Sequence, residues 1–63
     1  MEYKLTIKTT ENIIYKNINV TSVYEVKNII SNIGKNGYLD ENDKYIFLIP
    51  PNKINEITAT LIT

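Results

Sequence analysis

Residues 22–37, with the sequence SVYEVKNIISNIGKNG, contain the clearest helical pattern in the chain. Ser22 and Glu25 form a capping box, in which the serine hydroxyl accepts a hydrogen bond from the Glu25 amide and the glutamate carboxylate reaches back to Ser22. The residues that follow share one apolar stripe at helical spacing: Val23, Val26, Ile29, Ile30 and Ile33. The pattern predicts three turns of amphipathic helix that pack this stripe in the core and end in a left-handed cap at Gly34 or Gly37.

The residues before this helix have the pattern of a β-hairpin. Residues 2–9 alternate strictly between apolar and polar side chains, which is typical of a half-buried strand. Turn-forming residues at 10–12 are followed by a β-branched run at 13–20, so a second strand is expected to pair with the first. Isoleucine occurs on both sides of this second strand, so the sequence does not decide which side is buried. Ile14, Ile18 and Val20 lie on one side, and Ile13 and Tyr15 on the other.

The residues after the helix predict a second pair of strands. An acidic loop at 40–43 leads into a strand at 44–49 that is apolar on both faces. The face expected inside has Tyr45, Phe47 and Ile49, and the other face has Ile46 and Leu48. The two prolines at 50–51 end this strand, because proline cannot donate to a β-ladder. A single helical turn is expected next, with Ile54 directed into the core, and a last strand follows at about 56–62.

The element order β-β-α-β-β predicts a single α+β domain over residues 1–63, a four-stranded antiparallel sheet with one helix packed on one face. One helix cannot cover both faces of such a sheet, so Ile46 and Leu48 should form an exposed apolar patch together with one face of the second strand. Such patches mark interaction surfaces, where tyrosine is enriched. The candidate residues for partner binding or a dimer interface are Ile13, Tyr15, Tyr24, Tyr38, Ile46 and Leu48.

The length of the chain favours assembly with a second subunit. A domain of 63 residues buries only about 60% of the surface that its unfolded chain exposes, and domains of this size usually add a disulfide, a metal or a partner subunit. The chain has no cysteine and no histidine, which excludes a disulfide and all but excludes a zinc site. A partner chain or unusually good packing remains, and of these we favour a homodimer.

The residue types argue against catalysis and against a bound cofactor or metal ion. Histidine, the usual general base, and cysteine, the readiest nucleophile, are both absent. The acidic run at 40–43 does not match an EF-hand loop, because Tyr45 occupies the glycine position and Pro51 the position of the bidentate glutamate. In a solvated loop, its carboxylates are candidate contacts for a basic partner surface. These residues are Asp40, Glu41 and Asp43.

The charge balance gives little support for binding to nucleic acid or to a membrane. Seven lysines balance seven acidic residues, and the chain has no arginine to grip phosphates. Lys4, Lys8 and Lys16 are candidate charged contacts, and together with Tyr15 they keep a small RNA- or DNA-binding regulator as an alternative. The longest apolar run, residues 45–49, is too short to span a bilayer, and no secretion signal is recognisable, so we expect a cytoplasmic protein.

Isoleucine, asparagine and lysine, whose codons are rich in A and T, dominate the composition. With this bias, its order of elements and the segment IPPNKINEI at 49–57, the chain resembles short proteins of phages and prophages of low-GC Gram-positive bacteria. Characterised proteins of this kind are often inhibitors of a host immune protein or dimeric sponges for a nucleotide signal. The resemblance implies a non-catalytic homodimer that binds and occludes a host defence protein, with a sponge for a nucleotide or other small ligand as the alternative.

Overall fold

The structure is a computed structural model that describes all 63 residues, and it contains one strand more than the sequence predicts. One helix and antiparallel strands confirm the α+β class. The strands form two sheets, of three and two strands, so the predicted single four-stranded sheet is wrong. The elements are β1 (Glu2–Thr9), β2 (Ile13–Asn19), α1 (Val23–Asn36), β3 (Tyr38–Glu41), β4 (Ile46–Ile49), a 3₁₀ turn (Pro51–Lys53) and β5 (Ile54–Leu61).

The three-stranded sheet has the order β2-β1-β5, and both of its pairings are antiparallel. Ile7 of the central strand is fully buried, as the alternation of β1 predicts, and it lies between Ile14 of β2 and Ile57 of β5. This register settles which side of β2 faces the core. The inner side has Ile14 and Ile18, and the outer side has the exposed Ile13 and Tyr15.

The second sheet is a hairpin of β3 and β4, which the sequence did not predict because residues 40–43 have the composition of a loop. Asn42 closes this hairpin: its side-chain oxygen accepts hydrogen bonds from the Lys44 N–H at 2.7 Å and the Tyr45 N–H at 3.2 Å. Its own N–H donates to the Tyr45 carbonyl at 3.0 Å. The resulting two-residue turn directs β4 back along β3, so β4 pairs with β3 and does not join the larger sheet.

The helix begins and ends at residues that the sequence identifies. Ser22 is the N-cap and accepts from the Glu25 N–H at 3.4 Å, but the Glu25 carboxylate accepts a hydrogen bond from the Thr21 hydroxyl, not the predicted one from the Ser22 amide. Gly34 is within the helix, and Gly37 ends it with a positive φ of 91° and an N–H that donates to the Ile33 carbonyl at 2.8 Å.

The core joins the helix to both sheets. Its buried members are Leu5, Ile7, Ile33, Tyr38 and Ile49. Two of these residues, Tyr38 and Ile49, come from the end of the hairpin that is next to the helix, and they pair with each other across β3 and β4. The hairpin is therefore anchored at its base, whereas its other residues project from the core. Tyr45 and Phe47, which the sequence places inward with Ile49, are at least half exposed for this reason.

Replacing Ser22 with alanine should destabilise the protein by about 1 kcal/mol, because the first turn of α1 loses the acceptor for the Glu25 N–H. Urea unfolding followed by far-ultraviolet circular dichroism measures the change. The matched control is Ser31→Ala in the exposed interior of the same helix, which should stabilise by about 0.5 kcal/mol because alanine has the higher helix propensity. An equal effect of the two substitutions would contradict the capping role.

Candidate functional site

Exposed apolar side chains are concentrated on the β3–β4 hairpin. Leu39 and Leu48 lie opposite each other on the two strands and are 56% and 55% exposed, and Ile46 is 70% exposed. Tyr45 and Phe47 are also at least half exposed. Monomeric proteins rarely expose so many neighbouring apolar side chains without a function, so this surface is the strongest candidate contact site in the chain.

The two faces of the hairpin differ because successive side chains of a strand point to opposite sides. The Tyr38–Ile49 pair lies on the inner face, which continues outward as Asp40 opposite Phe47. The outer face has the Leu39–Leu48 pair followed by Glu41 opposite Ile46. We call Leu39, Ile46 and Leu48 the hairpin patch; it is an apolar surface with one carboxylate at its border.

A cleft of about 580 Å³ lies between this hairpin and the turn that joins β1 to β2. Its apolar wall includes Ile14, Phe47 and Ile49. Its charged lining consists of two acidic side chains and one basic side chain: Glu11, Asp40 and Lys53. A single cation beside two carboxylates gives poor electrostatic support for an anionic ligand such as a nucleotide.

The predicted contact residues do not form one surface. Ile46 and Leu48 lie together in the hairpin patch, whereas Ile13 and Tyr15 lie on the outer face of the other sheet. Tyr24 is exposed on α1, with the Lys27 ammonium 5.8 Å from its ring centroid.

Tyr38 requires a correction, because it is not a surface residue. The sequence predicts a contact residue at this position, but only 7% of Tyr38 is exposed and it belongs to the buried core. The reason is its place at the base of the hairpin, directly after the helix cap Gly37 and opposite Ile49, where the inner face of β3 meets the helix and the larger sheet.

The three predicted lysine contacts are divided between the faces of the larger sheet. Lys4 and Lys8 point away from the core. The Lys4 ammonium lies 5.6 Å from the centroid of the Tyr15 ring. The Lys8 ammonium lies 3.9 Å from the Glu56 carboxylate. Lys16 is opposite the buried Leu5 and so lies on the other face. The structure thus brings together Lys4 and Tyr15 but not the three lysines.

The acidic residues are also dispersed. Asp40 and Glu41 point to opposite faces of β3, and Asp43 lies in the turn. The Asp40 carboxylate accepts a hydrogen bond from the Tyr45 hydroxyl at 3.3 Å. Nowhere in the chain do three acidic side chains come close enough to hold a metal ion.

Leu39 and Phe47 are exposed apolar residues of the hairpin that the sequence does not identify as candidates. Leu39 leads into residues 40–43, which the sequence predicts as an acidic loop, although Asn42 and Asp43 are turn-forming residues that can join two strands. Phe47 alternates with Ile49, which predicts an inward side chain. No sequence signal shows that the inner face of β4 extends beyond the helix.

No protein-family model, no curated protein and no solved structure matches this chain. No helix of the structure combines the length and the apolar character that crossing a membrane requires. The hairpin patch is therefore the feature of the chain that bears most directly on its function.

Proposed function

We propose that this chain is a small non-catalytic binding protein of a phage or mobile element, and that it acts in the bacterial cytoplasm as a homodimer that binds and occludes a host defence protein. The observation that carries the proposal is the hairpin patch: three large aliphatic side chains, more than half exposed, on a hairpin anchored in the core. An exposed apolar surface of this kind suits a protein partner, because its desolvation supplies the driving force for association.

The chemistry of the remaining surface also favours binding over catalysis. Without histidine or cysteine, the chain lacks the usual general base and the readiest nucleophile. The cleft beside the hairpin has more acidic than basic lining, so a protein partner fits the hairpin better than a nucleotide fits the cleft.

Replacing Leu48 with aspartate should weaken partner binding by at least about 30-fold, because it places a charge in the centre of an apolar contact. The measurement is affinity capture of tagged protein from a lysate of a low-GC Gram-positive bacterium, followed by titration of the purified captured protein. The wild type should capture one host protein in stoichiometric amount, and the variant should lose it.

Leu61→Asp is the matched control, because Leu61 is also 55% exposed but lies on β5, outside the hairpin. It should retain the captured protein. Equal loss in both variants would indicate a general effect of the charge and contradict the role of the hairpin patch. Capture that survives Leu48→Asp would place the contact on another surface.

A further inference from the structure

β4 has an unpaired edge whose free backbone groups can be identified from the hairpin register. In an antiparallel pair, residues bonded to the partner strand alternate with residues whose N–H and C=O groups point away from it. Because Asn42 bonds to Tyr45, the bonded pairs along the hairpin are Asp40–Phe47 and Tyr38–Ile49. The backbone groups of Ile46 and Leu48 therefore point outward from β4, one on each side of Phe47.

We infer that a second copy of the chain pairs with this edge, β4 against β4 in antiparallel orientation, about a two-fold axis at Phe47. Ile46 then lies opposite Leu48 of the second copy, and each of these two pairs exchanges two hydrogen bonds. The register ends where Lys44 would meet Pro50, which has no N–H to donate. This interface specifies the homodimer of the proposed function, and the inference rests on that proposal.

The edge of β4 is complementary to itself, which the edge of β3 is not. Between Ile46 and Ile49, β4 has neither a charge nor a proline, the usual protections of an exposed edge. The corresponding register for β3, with Leu39 opposite Glu41, would place Asp40 directly against its own copy, and like charges in that position repel.

The free edges of the larger sheet are also less suited to a second copy. Lys16 interrupts the apolar side chains of β2, and Glu56 and two threonines interrupt β5. Charged and polar side chains at such positions discourage edge pairing. The position of the cleft also favours β4 over β3. The cleft borders β4 through Tyr45, Ile46 and Phe47 but borders β3 only through Asp40, so the open space lies beside β4.

A third strand would also complete the hairpin itself. A sheet of two strands is marginally stable, whereas three or more strands with an apolar face form a stable unit. Pairing of two β4 strands creates a four-stranded sheet with the order β3-β4-β4-β3. On its outer face the two hairpin patches become one continuous apolar strip, which is the surface that the proposed host partner would contact.

The size of the contact predicts a reversible dimer. Ile46, Phe47 and Leu48 are 55–70% exposed. At roughly 200 Å² for a large side chain, these three expose about 350 Å² on each protomer, so even their complete burial would leave the interface below the ~1,200 Å² of a standard interface. Dimerisation should therefore depend on concentration in the micromolar to millimolar range.

Single-cysteine crosslinking tests the register, because the chain has no cysteine of its own. In Phe47→Cys, the two thiols lie opposite each other with their Cα atoms about 4.5 Å apart, within the range of a disulfide. In Ile46→Cys, the two equivalent Cα atoms are about 9 Å apart, beyond that range. Under mild oxidation, we expect at least about tenfold more crosslinked dimer for Phe47→Cys.

Proline substitution tests the edge, with sedimentation equilibrium as the measurement and circular dichroism as the check on folding. Leu48→Pro removes an outward N–H without removing a bond of the hairpin, and it should weaken dimerisation by at least about tenfold. Leu39→Pro is the matched control, because Leu39 is the cross-strand neighbour, is 56% exposed and has its N–H on the other edge. It should leave the dimer unchanged.

A monomer at every concentration, equal crosslinking of the two cysteine variants, or equal weakening by the two prolines would each overturn the inference. So would Phe47→Cys crosslinking to a captured host protein in place of a second copy. Host-protein capture that is lost in Leu48→Asp would still support the binding of a host protein in these cases, whereas a monomer at every concentration would contradict the homodimer of the proposed function. Conversely, the expected dimer without a captured protein would support the inference and contradict the proposed function.

Discussion

Replacing Gly37 with alanine is expected to destabilise the protein by about 3 kcal/mol or more. Gly37 ends the helix with φ 91° and ψ 177°, a conformation that only glycine adopts without strain. A Cβ at this position would also collide with the Ile49 carbonyl oxygen and lie 3.3 Å from the Cα of Pro50. Both neighbours are backbone atoms, so the clash is relieved only by moving the base of β4.

The effect would be large compared with the stability of the whole chain. At about 0.05–0.15 kcal/mol per residue, 63 residues have about 3–9 kcal/mol in total. At the lower end of this range, Gly37→Ala would leave a substantial fraction of the protein unfolded without denaturant; at the upper end, it would remove about a third of the stability. Urea titration at a fixed protein concentration, followed by far-ultraviolet circular dichroism, measures the loss.

Gly34→Ala is the control for Gly37→Ala, because the same substitution three residues earlier is expected to stabilise the protein. Gly34 lies within α1, and a Cβ there would meet no atom within 4 Å. Alanine should stabilise the helix at this position by about 0.8–1 kcal/mol. If both variants change stability in the same direction, the strain and clash assigned to Gly37 are wrong.

The parts of the fold that the sequence predicts are those specified by neighbouring residues. The Ser22 cap, the helical spacing that follows it and the terminal glycine define α1 locally, and the structure confirms the helix at Val23–Asn36. The strict alternation of β1 likewise identifies the buried residues of the central strand. In each case the signal and the structure that it predicts lie within the same short segment.

The parts that the sequence does not predict depend on contacts between distant segments. β3 has only four residues, two of them acidic, and it is a strand because the Asn42 turn holds β4 beside it. Which side of β2 is buried depends on its register with Leu5 and Ile7 of β1, since isoleucine lies on both sides. Local propensity does not contain this information.

The candidate site was predicted in part for the same reason. Ile46 and Leu48 follow from a strand that is apolar on both faces, because one helix cannot cover both. The position of Leu39 beside Leu48 requires the β3–β4 pairing, and the burial of Tyr38 requires the packing at the base of the hairpin. Alternation within a strand gives the face of a residue but not how far the core extends along it.

Replacing Ile7 with alanine should cost about 2–5 kcal/mol, which is comparable with the whole stability of the chain. Ile7 is 0% exposed, at the centre of β1, and it contacts the neighbouring strands through Ile14 and Ile57. It also belongs to the cluster that joins the helix to both sheets. Removing three carbons there leaves a cavity that cannot close without moving all of these elements.

A graded series separates this cavity from other effects of the substitution. Ile7→Val removes one carbon and should cost about 0.5–1.5 kcal/mol, so the loss should increase with the volume removed. Ile13→Ala on β2 makes the same change at a position that is 48% exposed, and about 1 kcal/mol or less is expected there from the lower strand propensity of alanine.

Chemical denaturation measures the loss of stability in each variant of the series Ile7→Val, Ile7→Ala and Ile13→Ala. Losses that increase from valine to alanine at position 7 and remain small at position 13 would support one core centred on β1. Similar losses for Ile7→Ala and Ile13→Ala would contradict that assignment, because the exposed side of the sheet would then contribute as much as the buried side. In that case the outer face around Ile13 and Tyr15 would itself have to be covered, and the search for the partner surface would move there from the hairpin.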